Sequence, residues 1–393
     1  MKNNSKLYHI TNRLLINFYI LFRRATLVAL LFLIDNYLIA DTFNVRALWV
    51  VRDHVTSKKN IDEIVKFAIN NNYNHLIVQI RGRGDAYYSS KLVPRSHLLV
   101  NSNFDPLEYI ITEVRGTNIK IHAWLNTYYL WSSPQKPTQG DHILLNHPEW
   151  LDTKKPDEMN VTNMLKQMEK DRKINGEGFY LAPTHPEVEA HLQNVLTELL
   201  QNYRLDGVHF DYIRYHDLGW GMNPTGLKFF LNYSSGMPGL PELKIQEKPS
   251  FSDFKRSAIT QFLKKASLRI KAYQPNCIVS AAVKPNIYNA RNTFGQEWDL
   301  WLTAGYIDWA VPMNYTGNNQ LFDNNLQIIS DNIPKKYTEQ IIMGIGAYNQ
   351  NPRSTGQKIY RVGKNNFGGI SIFSYTVFKN NPSYAKQIVQ YLK

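Results

Sequence analysis

The strongest constraint on this chain is an alternation of two patterns. Eight short, almost wholly apolar runs are separated by longer stretches whose apolar residues recur every three or four positions. The runs are Val45–Arg52, His75–Arg81, Ile119–Asn126, Gly207–Asp211, Cys277–Lys284, Ile307–Met313, Gln340–Gly346 and Gly369–Tyr375. Continuous apolar runs read as strands covered on both faces, which is the pattern of a parallel sheet packed under helices. Helical periodicity is seen at Lys59–Asn72, where Ile61, Ile64, Val65 and Ala68 share a face, and at Pro106–Arg115, Glu187–Tyr203, Phe254–Ala272, Gln296–Ala304, Asn325–Ile333, Thr355–Lys364 and Ser383–Tyr391. Eight strands alternating with helices predict a (β/α)8 TIM barrel over residues 41–393. A doubly wound open sheet is the competing architecture, but no Gly-rich strand-to-helix fingerprint supports its nucleotide-binding forms.

Residues 1–40 stand apart. Arg23 and Arg24 precede the apolar stretch Ala25–Ile34, and Leu38-Ile39-Ala40 ends on a small residue before Asp41. That order is expected of a signal peptide or, if uncleaved, an N-terminal membrane anchor, so the chain is read as extracytoplasmic: secreted, periplasmic or membrane-anchored. The segment also carries part of the formal charge of +13, leaving +9 from Asp41 onward, spread without a basic run. A diffuse excess of this kind argues against a nucleic-acid partner. The single cysteine, Cys277, excludes an intramolecular disulfide and any multi-cysteine metal site.

Two connections are too long for ordinary barrel loops, about 127–180 after the third strand and 212–252 after the fourth. Both leave the C-terminal ends of strands, where a barrel builds its site, and they contain Tyr128, Tyr129, Trp131, Trp150, Tyr215 and Trp220. Polar residues at the strand ends converge on the same face. Gln79 and Arg81 precede Arg83 and Asp85 after strand two; His122, Trp124 and Asn126 share a face of strand three. His209 and Asp211 share a face of strand four, with Arg214 and Tyr215 just beyond. Lys284, then Asn314 and Tyr315, then Tyr375, close strands five, six and eight. Polar groups in apolar strands are costly to bury unless they pair or line a wet cleft. A metal reading with His122, His209 and Asp211 as ligands is disfavoured by Arg81, Arg83 and Arg214 nearby, and no cofactor is expected. Ser–His–Asp hydrolysis lacks a GxSxG elbow.

Six motifs in order give a resemblance. They are Arg46-Ala47-Leu48-Trp49, Gln79-Ile80-Arg81-Gly82-Arg83-Gly84-Asp85-Ala86-Tyr87-Tyr88, His122-Ala123-Trp124-Leu125-Asn126, Asp206-Gly207-Val208-His209-Phe210-Asp211-Tyr212-Ile213-Arg214-Tyr215, Gly295-Gln296-Glu297-Trp298 and Pro312-Met313-Asn314-Tyr315. Together they make the chain, from about Phe43 onward, resemble the bacterial glycosyl-hydrolase-like family ten. The resemblance implies a TIM barrel that acts on or binds carbohydrate at the cell envelope. A more distant likeness is to chitinases of glycoside hydrolase family eighteen, whose strand-four motif is matched by Asp206, Gly207 and Asp211 and whose strand-six motif is matched by Met313 and Tyr315. His209 stands where that motif has an Asp, and Ile213 where it has its acid Glu.

Glycosidases commonly use two carboxyl groups, about 5–5.5 Å apart for retention and about 6.5–9.5 Å for inversion. Asp211 is the first expected here, held ionised by His209 and Arg214 as nucleophile or base. For the second, the general acid, Asp85 and Glu297 are the candidates, with Asp217 in the long loop, or no acid at all, behind them. Gln79, Asn126 and Asn314 are expected to bond sugar hydroxyls, and Trp124 and Tyr315 to stack on sugar faces. The remaining strand-end residues, His122, His209, Tyr215 and Tyr375, are expected to line the same site. Arg81, Arg83, Arg214 and Lys284 form a basic rim suited to an acidic polysaccharide or a peptidoglycan-type glycan. The alternative is a barrel that binds envelope glycan without cleaving it.

Overall fold

The computed structural model describes residues 43–99, 101–156, 163, 166, 170, 177–234 and 250–392. The expected signal segment at 1–40 lies outside the described residues. No helix among those described is long and apolar enough to cross a membrane.

All eight expected strands form, as β1 (Val45–Val50), β2 (His75–Arg81), β3 (Lys120–Asn126), β6 (Gly207–Asp211), β7 (Ile278–Val283), β8 (Trp309–Pro312), β9 (Ile342–Gly346) and β10 (Gly369–Phe373). They pair in parallel in the order β8-β7-β6-β3-β2-β1-β10-β9. Parallel bridges from Ala310 to Ile341 and from Met313 to Gly344 link the two outermost strands. The sheet therefore closes on itself into a barrel surrounded by helices. β4 (Tyr129–Trp131) and β5 (Phe179–Tyr180) make a small antiparallel pair inside the first long connection.

Two apolar layers follow from the strand alternation. Val45, Ala47, Trp49, Ile77, Trp124, Ala282, Val311 and Ile342 fill the barrel interior. The opposite faces join the helices in a larger outer core. Helix Lys58–Asn70 shows how each helix is fixed: Ser57 accepts a hydrogen bond from the Asn60 N–H at its start, and Ile61, Ile64, Val65 and Ala68 are buried along one stripe. Burying an isoleucine of this kind contributes roughly 1.5–3 kcal/mol.

Helix ends depart from the periodic reading where capping decides them. The helix expected at 325–333 begins at Asn319, because the Asn318 side chain accepts from the Leu321 N–H. After β7 stand two helices, Ile287–Phe294, which was not expected, and Trp298–Thr303, which is the helix expected at 296–304. Gly295 separates them, ending the first in a left-handed conformation at φ 70°. In the second long connection, Pro224–Ser234 is an unexpected helix.

A candidate active site at the barrel mouth

At the C-terminal ends of the strands lies an open cleft of about 520 Å³, a size suited to a few sugar rings. Of the residues singled out in the sequence, Gln79, Arg83, Trp124, Asn126, Asp211, Arg214, Lys284 and Tyr315 line it. Tyr129, from the first long connection, lines it too, and the other expected site residues lie elsewhere, each for an identifiable reason.

The floor is a hydrogen-bonded chain across β1, β2 and β3. The Arg52 guanidinium donates to Gln79 Oε1 at 3.1 Å, and Gln79 Nε2 donates to Asn126 Oδ1 at 3.3 Å. Trp124 Nε1 donates to the same oxygen at 2.9 Å, while Asn126 Nδ2 donates to the Gly82 carbonyl at 2.8 Å. These bonds fix the amides and leave them facing the cleft with their orientation already set.

Asp211 ends β6 at the bottom of the cleft and is buried. Its Oδ1 accepts the Tyr212 backbone N–H at 2.7 Å, and among the described residues it has no ion-pair partner. Tyr212 adopts φ 49°, a left-handed conformation that a bulky residue takes only where surroundings enforce it. That turn is what brings its N–H against its neighbour's carboxylate. Burial pushes the Asp211 pKa up to about 6, against the Tyr212 N–H and the charges of Arg214 and Lys284. The expectation that Asp211 is held ionised as nucleophile or base is not met, since burial moves it toward neutrality and His209 bonds Ser280 instead.

A second carboxylate in the cleft was missed in the sequence: Glu177, on the connection between β4 and β5. Arg214 Nη2 donates to its two oxygens at 3.2 and 2.9 Å, and the Tyr180 hydroxyl donates to Oε2. Burial alone would raise its pKa, but the Arg214 charge and these hydrogen bonds outweigh burial and hold it below the usual range. Gly178 makes the placement feasible. Its φ is 121°, and a Cβ there would lie 2.3 Å from the Trp131 carbonyl oxygen, so only glycine lets the chain pass from Glu177 into β5. The Gly176-Glu177-Gly178 sequence was the one available signal.

Neither other expected carboxylate lines the cleft. Asp85 is buried and accepts the Arg83 backbone N–H at 2.8 Å, bracing its own loop. Glu297 precedes helix Trp298–Thr303 and faces the neighbouring helices, bonded by Thr260 at 3.2 Å with Arg256 Nε 3.5 Å away. Asp217 pairs with His216.

Arg81 was expected on the Gln79 face, but the β2–β3 register shifts between these two residues. Arg81 instead pairs with Leu125, and its guanidinium donates to the Asn126 carbonyl beneath the mouth. His122 and His209 do face the barrel interior, below the cleft. His75 Nδ1 and His122 Nε2 share a hydrogen bond of 2.8 Å, and His209 Nδ1 meets Ser280 Oγ at 2.8 Å with its ring edge-on to Trp49. Burial lowers the pKa of His75 to about 4 and of His209 to about 3, and it sets His122 well below 6.5. Among the described residues no three His, Cys, Asp or Glu side chains are grouped to hold a metal ion.

Tyr215 is buried and donates to the Lys255 carbonyl. Asn314 bonds Phe322 and Asn325, and Tyr375 packs on His54 and Phe67. The remaining cleft surface divides in two. Arg52, Arg83, Arg214 and Lys284 come from β1, β2, β6 and β7 or the turns after them, whereas Met313, Tyr315, Tyr348 and Phe373 come from β8, β9 and β10 or their turns.

Solved structures with this fold include the PgaB (BpsB) glycoside hydrolase domain from Bordetella bronchiseptica, at a TM-score of 0.62 and 13% identity over 89% of this chain and 99% of that one. The catalytic domain of beta-amylase from Paenibacillus polymyxa superposes at 0.55 and 10% identity over 90% and 99%. Identities this low speak to the fold alone. In sequence, the chain is 24% identical to glycosyl hydrolase YngK of Bacillus subtilis (strain 168) over 282 residues, 65% of this chain and 48% of that protein. It is 23% identical to glycosyl hydrolase DigH of Escherichia coli (strain K12) over 287 residues, 65% and 56% of the two. The chain thus spans about half the length of these curated relatives. The model of one family matches residues 40–361, most of the barrel, and the chain therefore belongs to the glycosyl hydrolase-like 10 family.

Proposed function

We propose that this protein is a glycoside hydrolase that cleaves a glycosidic bond in a polysaccharide or cell-envelope glycan. One observation carries the reading: two carboxyl groups line one cleft under opposite electrostatics, with Asp211 raised toward neutrality and Glu177 held ionised. Separated pKa values of this kind divide acid from base. Asp211, when protonated, gives its proton to the glycosidic oxygen as the bond to the anomeric carbon breaks. Glu177 faces the positive charge that develops on the sugar, and acts as nucleophile or as base toward water. Arg214 and the Tyr180 hydroxyl occupy Oε2 of the Glu177 carboxylate, yet Oε1, bonded by Arg214 alone, has a second lone pair and the side chain is 39% exposed.

Arg52, Arg83 and Lys284, the cations of the cleft that do not grip Glu177, favour a glycan bearing carboxylates, since guanidinium and ammonium groups facing a cleft attract such groups before contact is made. We place the enzyme outside the cytoplasm, on the layout of residues 1–40. The double grip of Arg214 on Glu177 favours one competing reading, a glycan-binding barrel without catalysis. Reducing-end release from bacterial envelope and acidic polysaccharides by residues 41–393 separates the two. Release that Asp211→Asn abolishes and EDTA leaves untouched supports a carboxylate glycosidase; binding without release from any glycan supports the binder.

A further inference from the structure

The β8–β10 side of the cleft has features that acid and base chemistry does not require. Tyr348, in the turn after β9, lines the cleft while 58% exposed. Its ring meets Tyr315 and Phe373 edge to face, with centroids 6.3 and 6.0 Å away. Room for this grouping comes from glycines in β9. A Cβ on Gly346 would lie 3.1 Å from the Tyr348 ring and 3.2 Å from Tyr315 Cβ, and one on Gly344 would lie 3.1 Å from the Tyr315 ring.

The turn that carries Tyr348 is also tied down. The buried Lys358 ammonium donates both to the Thr316 carbonyl, after β8, and to Gln350 Oε1, after β9. Asn349 Nδ2 donates to the Tyr315 carbonyl, and Gln350 Nε2 to that of Gly346. An exposed aromatic ring on a mobile loop would be unremarked, but here four side-chain hydrogen bonds hold the ring over a cleft. A second observation is independent of the first. The Tyr315 hydroxyl is closed off from solvent and has no hydrogen-bond partner among the described residues, although it lies in the field of Asp211. A hydroxyl left so is costly unless something that enters the cleft completes it.

We propose that Tyr348 and Tyr315 form a sugar subsite beside Asp211, in which a pyranose ring lays its C–H face on Tyr348 and pairs a hydroxyl with that of Tyr315. The inference rests on reading the cleft as a glycan site and adds a direction to it. Uncharged rings lie toward β8–β10, and the anionic substituents of a chain lie toward Arg52 and Arg83. Stacking supplies the apolar contact, and the unpaired hydroxyl supplies orientation.

The test uses neutral probes, β-1,4-linked N-acetylglucosamine oligomers of two to six sugars, titrated into the full chain carrying Asp211→Asn to prevent turnover. Adding Tyr348→Ala is expected to weaken hexamer binding about tenfold, roughly 1.4 kcal/mol. Tyr348→Trp should retain binding within about threefold, because an indole stacks as well as a phenol, and Tyr315→Phe should weaken it about fivefold by leaving the sugar hydroxyl unmet. Equal hexamer affinity with and without Tyr348→Ala overturns the subsite, as does an equal loss in the Trp variant, which would report a structural rather than a stacking role. Failure of the parent to bind any oligomer at millimolar concentration overturns it as well. In that case reducing-end release, which needs no oligomer affinity, still decides the glycosidase reading on its own.

Discussion

The lower interior of the barrel and its mouth bury polar side chains on the same inward faces of the same strands, and they do so to opposite ends. Below, His75 closes on His122 and His209 closes on Ser280, and Trp49 and Trp309 cover the rings. Two or four residues further along each strand, Gln79, Asn126 and Asp211 face open volume. The imidazoles are neutral because burial penalises their charged form, whereas burial raises the Asp211 pKa only to an intermediate value because the Tyr212 N–H and the charges of Arg214 and Lys284 oppose it. A polar residue inside an apolar strand therefore marks a site only where its layer of the barrel is left unfilled.

The largest test of this contrast is Asp211→Asn. We expect kcat/KM on a cleaved glycan to fall by roughly 10²–10⁴, with the folded structure unchanged by circular dichroism; a loss under tenfold would remove the mouth from the chemistry. Gly207→Ala addresses the lower layer. Its Cβ would lie 2.1 Å from His122 Nδ1, so the His75–His122 pair must shift at a cost of about 1–3 kcal/mol in urea unfolding. Activity per folded molecule should stay unchanged, and a matching loss of activity would show the two layers to be coupled.

Acidity distinguishes the regions by sign. The Asp211 pKa is raised in the fold to about 6, so its ionisation opposes folding. That penalty is absent below pH 4, grows between pH 4 and 6, and is complete above. Asp211→Asn should thus raise stability by about 2–3 kcal/mol at pH 7.5 and by nothing at pH 4. His209 runs the other way. Its pKa is lowered to about 3, so below pH 6.5 the unfolded chain takes up a proton that the fold refuses. Stability falls by up to about 1.4 kcal/mol per pH unit as the pH drops from there toward 3, and His209→Gln should flatten that slope in urea titrations between pH 6.5 and 4.

The barrel was legible because each strand is a continuous apolar run and each helix has one apolar stripe. Strand alternation also placed Gln79, Asn126 and Asp211 correctly at the mouth. It failed where a single local event resets it. The register shift after Gln79 turns Arg81 away. It was silent on depth, so His122 and His209 read like Asp211 although they lie below it. Glu177 follows no period at all. It reaches the cleft on a long insert whose path is set by tertiary pairing of Tyr129 with Tyr180, and loops of this kind carry no pattern to read. Glu297 had the right position along the chain, but its helix turns it toward Arg256 and Thr260.

The two carboxylates have different parentage. Asp211 belongs to a strand of the barrel, which cannot move without disturbing its neighbours, while Glu177 is delivered by an inserted hairpin across Gly178. Lengthening, trimming or exchanging that insert would reset the gap between the two groups, and with it, for the proposed glycosidase, the stereochemical course of cleavage, while leaving the scaffold intact. A lineage with this division of labour can diversify its chemistry by editing one excursion.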